Sequence, residues 1–186
     1  MGGGFNGDTP GITEIYKLLS DLSQWIQLPP CDIPVSGFAL AAVKGKLYTI
    51  GGENLARKKG GKANSIISDK VQTYDLTSVP ARWSVSLPTM KSPRYSAGAI
   101  GFDSYLVVAG GLGLGNEPLS TMEILNLDKR SPSWWKVGIP FRCPSRPQLA
   151  SWRNDTLVLV GKSEADAQDS VQIYMRPFKD ILESVL

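Results

Sequence analysis

Short apolar runs that end in glycine recur along the chain. They are Tyr48-Thr49-Ile50-Gly51-Gly52, Leu106-Val107-Val108-Ala109-Gly110-Gly111 and a worn copy, Leu157-Val158-Leu159-Val160-Gly161-Lys162. A further glycine cluster, Gly2 to Gly4, opens the sequence. A nearly continuous apolar run bounded by turn residues predicts a strand buried on both faces. A second apolar pattern follows each: Thr13-Glu14-Ile15-Tyr16, Val71-Gln72-Thr73-Tyr74, Met122-Glu123-Ile124-Leu125 and Val171-Gln172-Ile173-Tyr174. Ahead of two runs lie strands rich in small residues, Phe38 to Val43 and Ala97 to Ile100. Small side chains let neighbouring backbones approach, as innermost strands require. Lys44-Gly45-Lys46, Asp103-Ser104 and Arg153-Asn154-Asp155 read as tight hairpin turns.

The columns of these patterns agree in register. Glu14, Gln72, Glu123 and Gln172 form one, and Tyr16, Tyr74, Leu125 and Tyr174 another. Nine residues after the second column stand Trp25, Trp83 and Trp134, with Glu183 in the fourth copy. From the aromatic column to the next second-glycine position is 36 residues (16 to 52), then 37 (74 to 111) and 37 (125 to 162). From glycine to aromatic column the distance varies, 22 residues at its longest (52 to 74). Constant spacing predicts strands in fixed register. The variable stretch predicts a surface loop, where doubling the length costs only ~0.6 kcal/mol.

Each repeat of ~50 residues thus reads as four short strands, a to d, without a helix, a pattern that suits radially stacked sheets. In the third unit these are Ser96 to Phe102, Tyr105 to Ala109, Thr121 to Leu127 and Ser133 to Val137. Val108-Ala109-Gly110-Gly111, then Glu123-Ile124-Leu125-Asn126-Leu127-Asp128, then Trp134, with the linker Met90-Lys91-Ser92-Pro93-Arg94-Tyr95, resembles the kelch repeat. The resemblance covers nearly the whole chain and is strongest in the two central units. It implies an all-β fold of kelch-type propeller blades, each of four antiparallel strands. About three and a half blades are present, an incomplete ring: residues 1-34 with the c and d strands of a first blade, then 35-88, 89-140 and a degenerate last blade, 141-186. Whether residues 177-186 form a fourth strand there is open. Three readings of the count remain: a piece of a longer propeller, a half that pairs with another and self-associates through open blade edges, or a small open array.

Gly51, Gly52, Gly110 and Gly111 end buried strands where the chain turns sharply, often through positive φ. By the resemblance, Tyr16, Tyr74, Tyr174, Trp25, Trp83 and Trp134 pack between blades as structural residues rather than forming an aromatic ligand cage. It also implies that b–c and d–a loops share one face, the usual partner-binding face. There Arg57, Lys58, Lys59 and Lys62 of the long loop would join Arg94, Arg142 and Arg146. Such a patch fits an acidic peptide or phosphoprotein through bidentate arginine contacts; the plainer reading is a solvated loop. Arg57-Lys58-Lys59 is too short to stand as a nuclear signal.

Composition narrows the function. The 186 residues hold no histidine, which excludes Ser-His-Asp chemistry, imidazole acid–base catalysis and histidine-ligated metals. No metal or cofactor is expected. Cys31 and Cys143 cannot form a zinc site alone and read as free thiols of a reducing compartment. A net charge of +3 does not by itself indicate nucleic acid, and no segment approaches the ~18 apolar residues of a membrane helix. Met1 to Asn6 lacks signal-peptide character, and Asn6 stands where a myristoylation motif wants Ser or Thr. Asn154-Asp155-Thr156 is a glycosylation sequon in form but reads as a turn. Leu112 to Glu117 is glycine-rich but leads to Pro118 and a strand, not to a phosphate-binding helix. The scattered aspartates show no paired spacing.

The leading expectation is a non-enzymatic protein–protein interaction scaffold, cytoplasmic or nuclear, displaying b–c and d–a loops. The resemblance implies a substrate-recognition role like that of ubiquitin-ligase adaptors, or cytoskeletal binding, within a larger kelch protein. The BTB and BACK domains of such adaptors are not in this sequence. The alternative is a sugar-processing, epimerase-like kelch enzyme without metal; the family's metal-dependent oxidases need histidines.

Overall fold

A computed structural model describes residues 2–3, 13–14, 16–18, 23–56, 64–139, 147–162 and 171–184. Two short pairs come first: β1 (Gly2–Gly3) with β2 (Thr13–Glu14), and β3 (Tyr16–Leu18) with β4 (Trp25–Gln27). A four-stranded antiparallel sheet follows, built from β5 (Ala39–Val43), β6 (Lys46–Ile50), β9 (Val71–Asp75) and β10 (Trp83–Ser84). Between β6 and β9 the long b–c loop runs out and back as a ribbon, β7 (Glu53–Ala56) paired with β8 (Asn64–Ile67). The next sheet has β11 (Gly98–Phe102), β12 (Tyr105–Ala109), β13 (Thr121–Asn126) and β14 (Trp134–Gly138) in sequence order. The last described sheet has three strands, β15 (Gln148–Trp152), β16 (Thr156–Lys162) and β17 (Val171–Pro177), followed by α1 (Phe178–Glu183). These antiparallel blades match the fold expected from the strand patterns.

The hairpin turns form where the residues dictate. Lys44 and Gly45 both take positive φ, +50° and +70°, the two-residue turn that follows strand twist. Two glycines are required by their surroundings. Gly111 has φ +84°, and a Cβ there would lie 2.5 Å from the Tyr95 carbonyl oxygen. Gly52 has φ +99°, and its Cβ would meet the Ser36 carbonyl oxygen at 2.9 Å. Both sit where the end of strand b passes the linker that enters strand a, so any side chain would push them apart.

The blades stack in chain order, with β11 lying between β5 and β15. Ala41, Tyr48, Ile50 and Val71 of one blade bury against Leu106, Val108, Leu125 and Trp134 of the next. On the opposite face of that next blade, Val107, Ala109, Met122 and Ile124 bury against Leu157, Leu159, Phe178 and Ile181. Tyr74 and Trp83 pack with Leu28 and Cys31 of the first linker. The nine-residue spacing becomes direct pairing: Trp83 lies opposite Tyr74 and Trp134 opposite Leu125. Each indole donates to a proline carbonyl of the preceding linker, Trp83 to Pro29 at 2.8 Å and Trp134 to Pro88 at 2.9 Å. A ring that buries its edges and satisfies its N–H is a strong joint between layers.

Trp25 differs from the expectation: it is 62% exposed. The register also slips by two residues at both ends. Trp25 pairs with Leu18 rather than Tyr16, and Tyr174 lies opposite Leu159, the place that Glu123 holds opposite Val108. Tyr174 is half-buried, and Arg176 takes the position that the aromatic column predicts for it. The last segment is a helix, not a fourth strand. Phe178 and Ile181 are buried one turn apart, with Phe178 against Phe102 at 4.5 Å and Tyr105 at 5.3 Å between ring centroids.

Candidate functional site

The face that carries the b–c loops is organised by the linker between the two central blades. Gly52 N–H donates to the Arg94 carbonyl (2.8 Å), and Arg94 N–H donates to the Ser68 carbonyl (3.2 Å). Met90 N–H donates to the Asp69 carbonyl at 2.8 Å. Tyr95 exchanges backbone bonds with Leu112 on the other side, 3.0 and 2.8 Å. The linker is therefore sewn to the b–c loops of both neighbouring blades. Its exposed elements extend the same surface: the Tyr95 hydroxyl donates to Asn116 Oδ1 at 2.8 Å, and Lys136 Nζ donates to Ser92 Oγ at 2.8 Å. Burial, then the charge of Glu53, pushes the Tyr95 phenol above its ordinary pKa.

Arg94 does not belong to this surface. Its side chain and that of Glu123 are both fully buried, and the guanidinium donates to Glu123 Oε1 at 2.7 Å. It also donates to the carbonyls of Gly110 (2.9 Å) and Thr121 (3.0 Å). Burial lowers the arginine's pKa, and the Glu123 charge opposes that shift. Glu123 in turn accepts the backbone N–H groups of Lys91 (2.7 Å) and Ser92 (2.9 Å). A carboxylate inside a sheet needs a counter-charge, and the short linker supplies one by turning Arg94 inward. Its placement on the basic rim is thus corrected. The signal was available: Glu123 sits in a column whose strand is otherwise apolar.

The same clamp recurs one blade earlier without charge. Gln72 Oε1 accepts the Ile33 N–H at 2.7 Å, and its Nε2 donates to the Ile33 carbonyl at 2.9 Å. Val35, buried, precedes the bridged Ser36 as Arg94 precedes the bridged Tyr95. The Glu/Gln column is therefore a linker clamp, with Val35 accompanying the amide and Arg94 the acid.

Arg57, Lys58, Lys59, Lys62, Arg142 and Arg146 lie outside the described residues. The described part of the loop face carries both signs: Glu53, Asp69 and Glu117 beside Lys70, Lys91 and Lys136. At the opposite end, an open cleft of about 340 Å³ lies between the a–b turns, lined by Gly101, Phe102, Asp103, Ser151 and Asn154. Among the described residues no group of three or more cysteine, aspartate or glutamate side chains is placed to hold a metal. No described helix is long and apolar enough to cross a membrane. Cys31 is buried, which pushes its thiol up to about 11.

No family model matches the chain. Over 111 residues, 60% of this chain, it is 28% identical to Kelch repeat and BTB domain-containing protein 2 of Ectromelia virus (strain Moscow). It is 26% identical over 111 residues to the protein of the same name from Cowpox virus (strain GRI-90 / Grishak). It is 28% identical over 114 residues to Alpha-scruin of Limulus polyphemus. The chain spans 18% of the length of the two viral relatives and 12% of Alpha-scruin.

Proposed function

With the blades and the relatives supporting a kelch-repeat family for this chain, we propose that it is a non-enzymatic protein–protein interaction module. The observation that carries the reading is the linker Met90 to Ser96, bonded to the b–c loops of two blades at once. Loops fixed relative to one another form a preorganised surface, so a partner does not meet the cost of ordering them. The β7–β8 ribbon belongs to one of these b–c loops, and Glu53 at its start acts electrostatically on Tyr95, whose hydroxyl donates to Asn116 of the other.

The partner class is a protein or peptide with acidic character, met by Arg57, Lys58, Lys59 and Lys62 beyond the ribbon strands and by Arg142 and Arg146 of the next linker. Within a larger kelch protein this is a substrate-recognition or cytoskeletal-binding role in the cytoplasm or nucleus. Affinity capture with the full chain, compared with a variant lacking residues 57–62, tests it. The expected result is one or more proteins lost on deletion and weakened by raised salt, since exposed charge contacts are screened beyond ~10 Å at 0.1 M. Equal capture by both forms overturns the loop assignment, and saturable sugar binding overturns the non-enzymatic reading. Arg94 is not a useful variant here, because its loss disturbs the core rather than the surface.

A further inference from the structure

We propose that the cleft between the a–b turns of the last two blades receives an arginine side chain of a partner protein, at the end of the molecule opposite the loop face. The cleft exists because the inner strands part there. Toward the loop face they touch: a Cβ on Gly98 of β11 would lie 2.2 Å from the Pro147 carbonyl oxygen. At the earlier junction the strands touch near the a–b turns as well, since a Cβ on Gly101 would lie 2.4 Å from the Ala42 carbonyl oxygen. Sheet register puts Ser151 in β15 where β11 has Gly101. The serine shares the side of its strand with Leu149, which packs against β11. A side chain thus stands where the earlier junction has none, and about 340 Å³ opens between the blades. Both walls belong to a blade junction, not to the outer face of a terminal blade.

The charges at this junction are also left unpaired. Lys44, in the a–b turn of the earlier blade, reaches forward to pair with Asp128 beyond β13. One blade on, the same positions hold the opposite signs, Asp103 and Lys179. That pair is not made: the chain has turned into α1, and Lys179 meets Glu183 at 3.6 Å instead. Among the described residues the Asp103 side chain has no hydrogen bond or ion pair, and neither have those of Ser151 and Asn154. All three line the cleft. A carboxylate, a hydroxyl and an amide oxygen are acceptors around a site that lacks a donor. A guanidinium supplies five donors in one plane and a permanent positive charge. Phe102, held against Phe178 at 4.5 Å, gives an apolar wall for the methylenes of the same side chain. The volume lies at the low end of ligand pockets, about 300–1,000 Å³, which suits one long side chain rather than a cofactor.

The test is an amide NMR titration of the full chain with the peptide acetyl-Gly-Arg-Gly-amide. The expected result is saturable shifts at Asp103, Ser151 and Asn154, weakened by raised salt. The same peptide with citrulline for arginine keeps the shape without the charge, and should bind at least about tenfold more weakly. Asp103→Asn should show the same loss. It removes the carboxylate at a turn position, φ +52°, that asparagine adopts readily, so the fold is kept and the spectrum verifies it. Absence of saturable shifts at these amides overturns the proposal. So does equal binding of the citrulline peptide, or binding that Asp103→Asn leaves unchanged. Shifts confined to the loop face overturn it too, since the arginine would then be answering the acids there.

Discussion

Replacing Arg94 by Val and Glu123 by Gln converts the central linker clamp into the form that the preceding blade already uses. Each single change leaves an uncompensated charge at a site with no solvent access, because both side chains are fully buried. Breaking a buried ion pair from one side costs ~3–5 kcal/mol. Arg94→Val strands the Glu123 carboxylate and removes the donor from the Gly110 carbonyl. Glu123→Gln strands the guanidinium and leaves one of two linker N–H groups unpaired. The double variant removes both charges. A Gln at 123 still accepts from the linker, as Gln72 does from Ile33, and a Val at 94 packs as Val35 does. What remains lost is a hydrogen bond or two, about 1–3 kcal/mol. The double change should therefore fall short of the summed singles by at least about 2 kcal/mol. Urea titration gives the comparison, with midpoint and slope fitted separately so that a change in compactness is not read as stability. Amide exchange adds a local readout: the N–H groups of Lys91 and Ser92 should lose protection first in Glu123→Gln. A single variant costing under about 1 kcal/mol refutes the account. So does a double that costs as much as its parts, since the two residues would then not act on one another.

Trp83→Ala should cost ~3–5 kcal/mol in the same titration, since it empties a buried indole site beside Tyr74 and removes the bond to Pro29. Asp75 accepts from the Thr77 hydroxyl and backbone N–H and pairs with Lys46, which holds its carboxyl at about 2. Its folded pKa lies below its unfolded one, so its stabilisation is present above about pH 4 and is lost as pH falls toward 2. Asp75→Asn should flatten stability across that window, measured as midpoint against pH.

The inner blades were legible because their spacing is set by strands that a two-residue turn and a buried pair lock in place. The third-unit strands expected from the pattern differ from the observed ones by at most two residues at any end. Tyr74 with Trp83 and Leu125 with Trp134 could be read as partners from one constant spacing. The ends were less legible because neither glycine doublet nor tryptophan pins both sides of the sheet there. In the last blade Lys162 replaces the second glycine, and the strand pairs two residues out of the expected column. The helix α1 carried its own sign. Phe178, Ile181 and Leu182 recur at three- and four-residue spacing, a helical period that strand-seeking columns pass over.

Arg94 shows why residue type and loop location do not together define a binding site. A linker arginine in a repeat of this sort has two destinations, and solvent is the default for an isolated one. What decides is the residue that faces it across the blade junction. In this one chain the two inner junctions give the comparison: Gln72 with Val35, and Glu123 with Arg94. The acid and the base change together, so the charge on the linker reports the charge in the core. The lysines that stay outside, Lys91 and Lys136, have no such counterpart in the buried column. A basic rim inferred from linker arginines alone is then too large by the number that answer a buried acid. The surface left for a partner is the one whose charges the core does not claim.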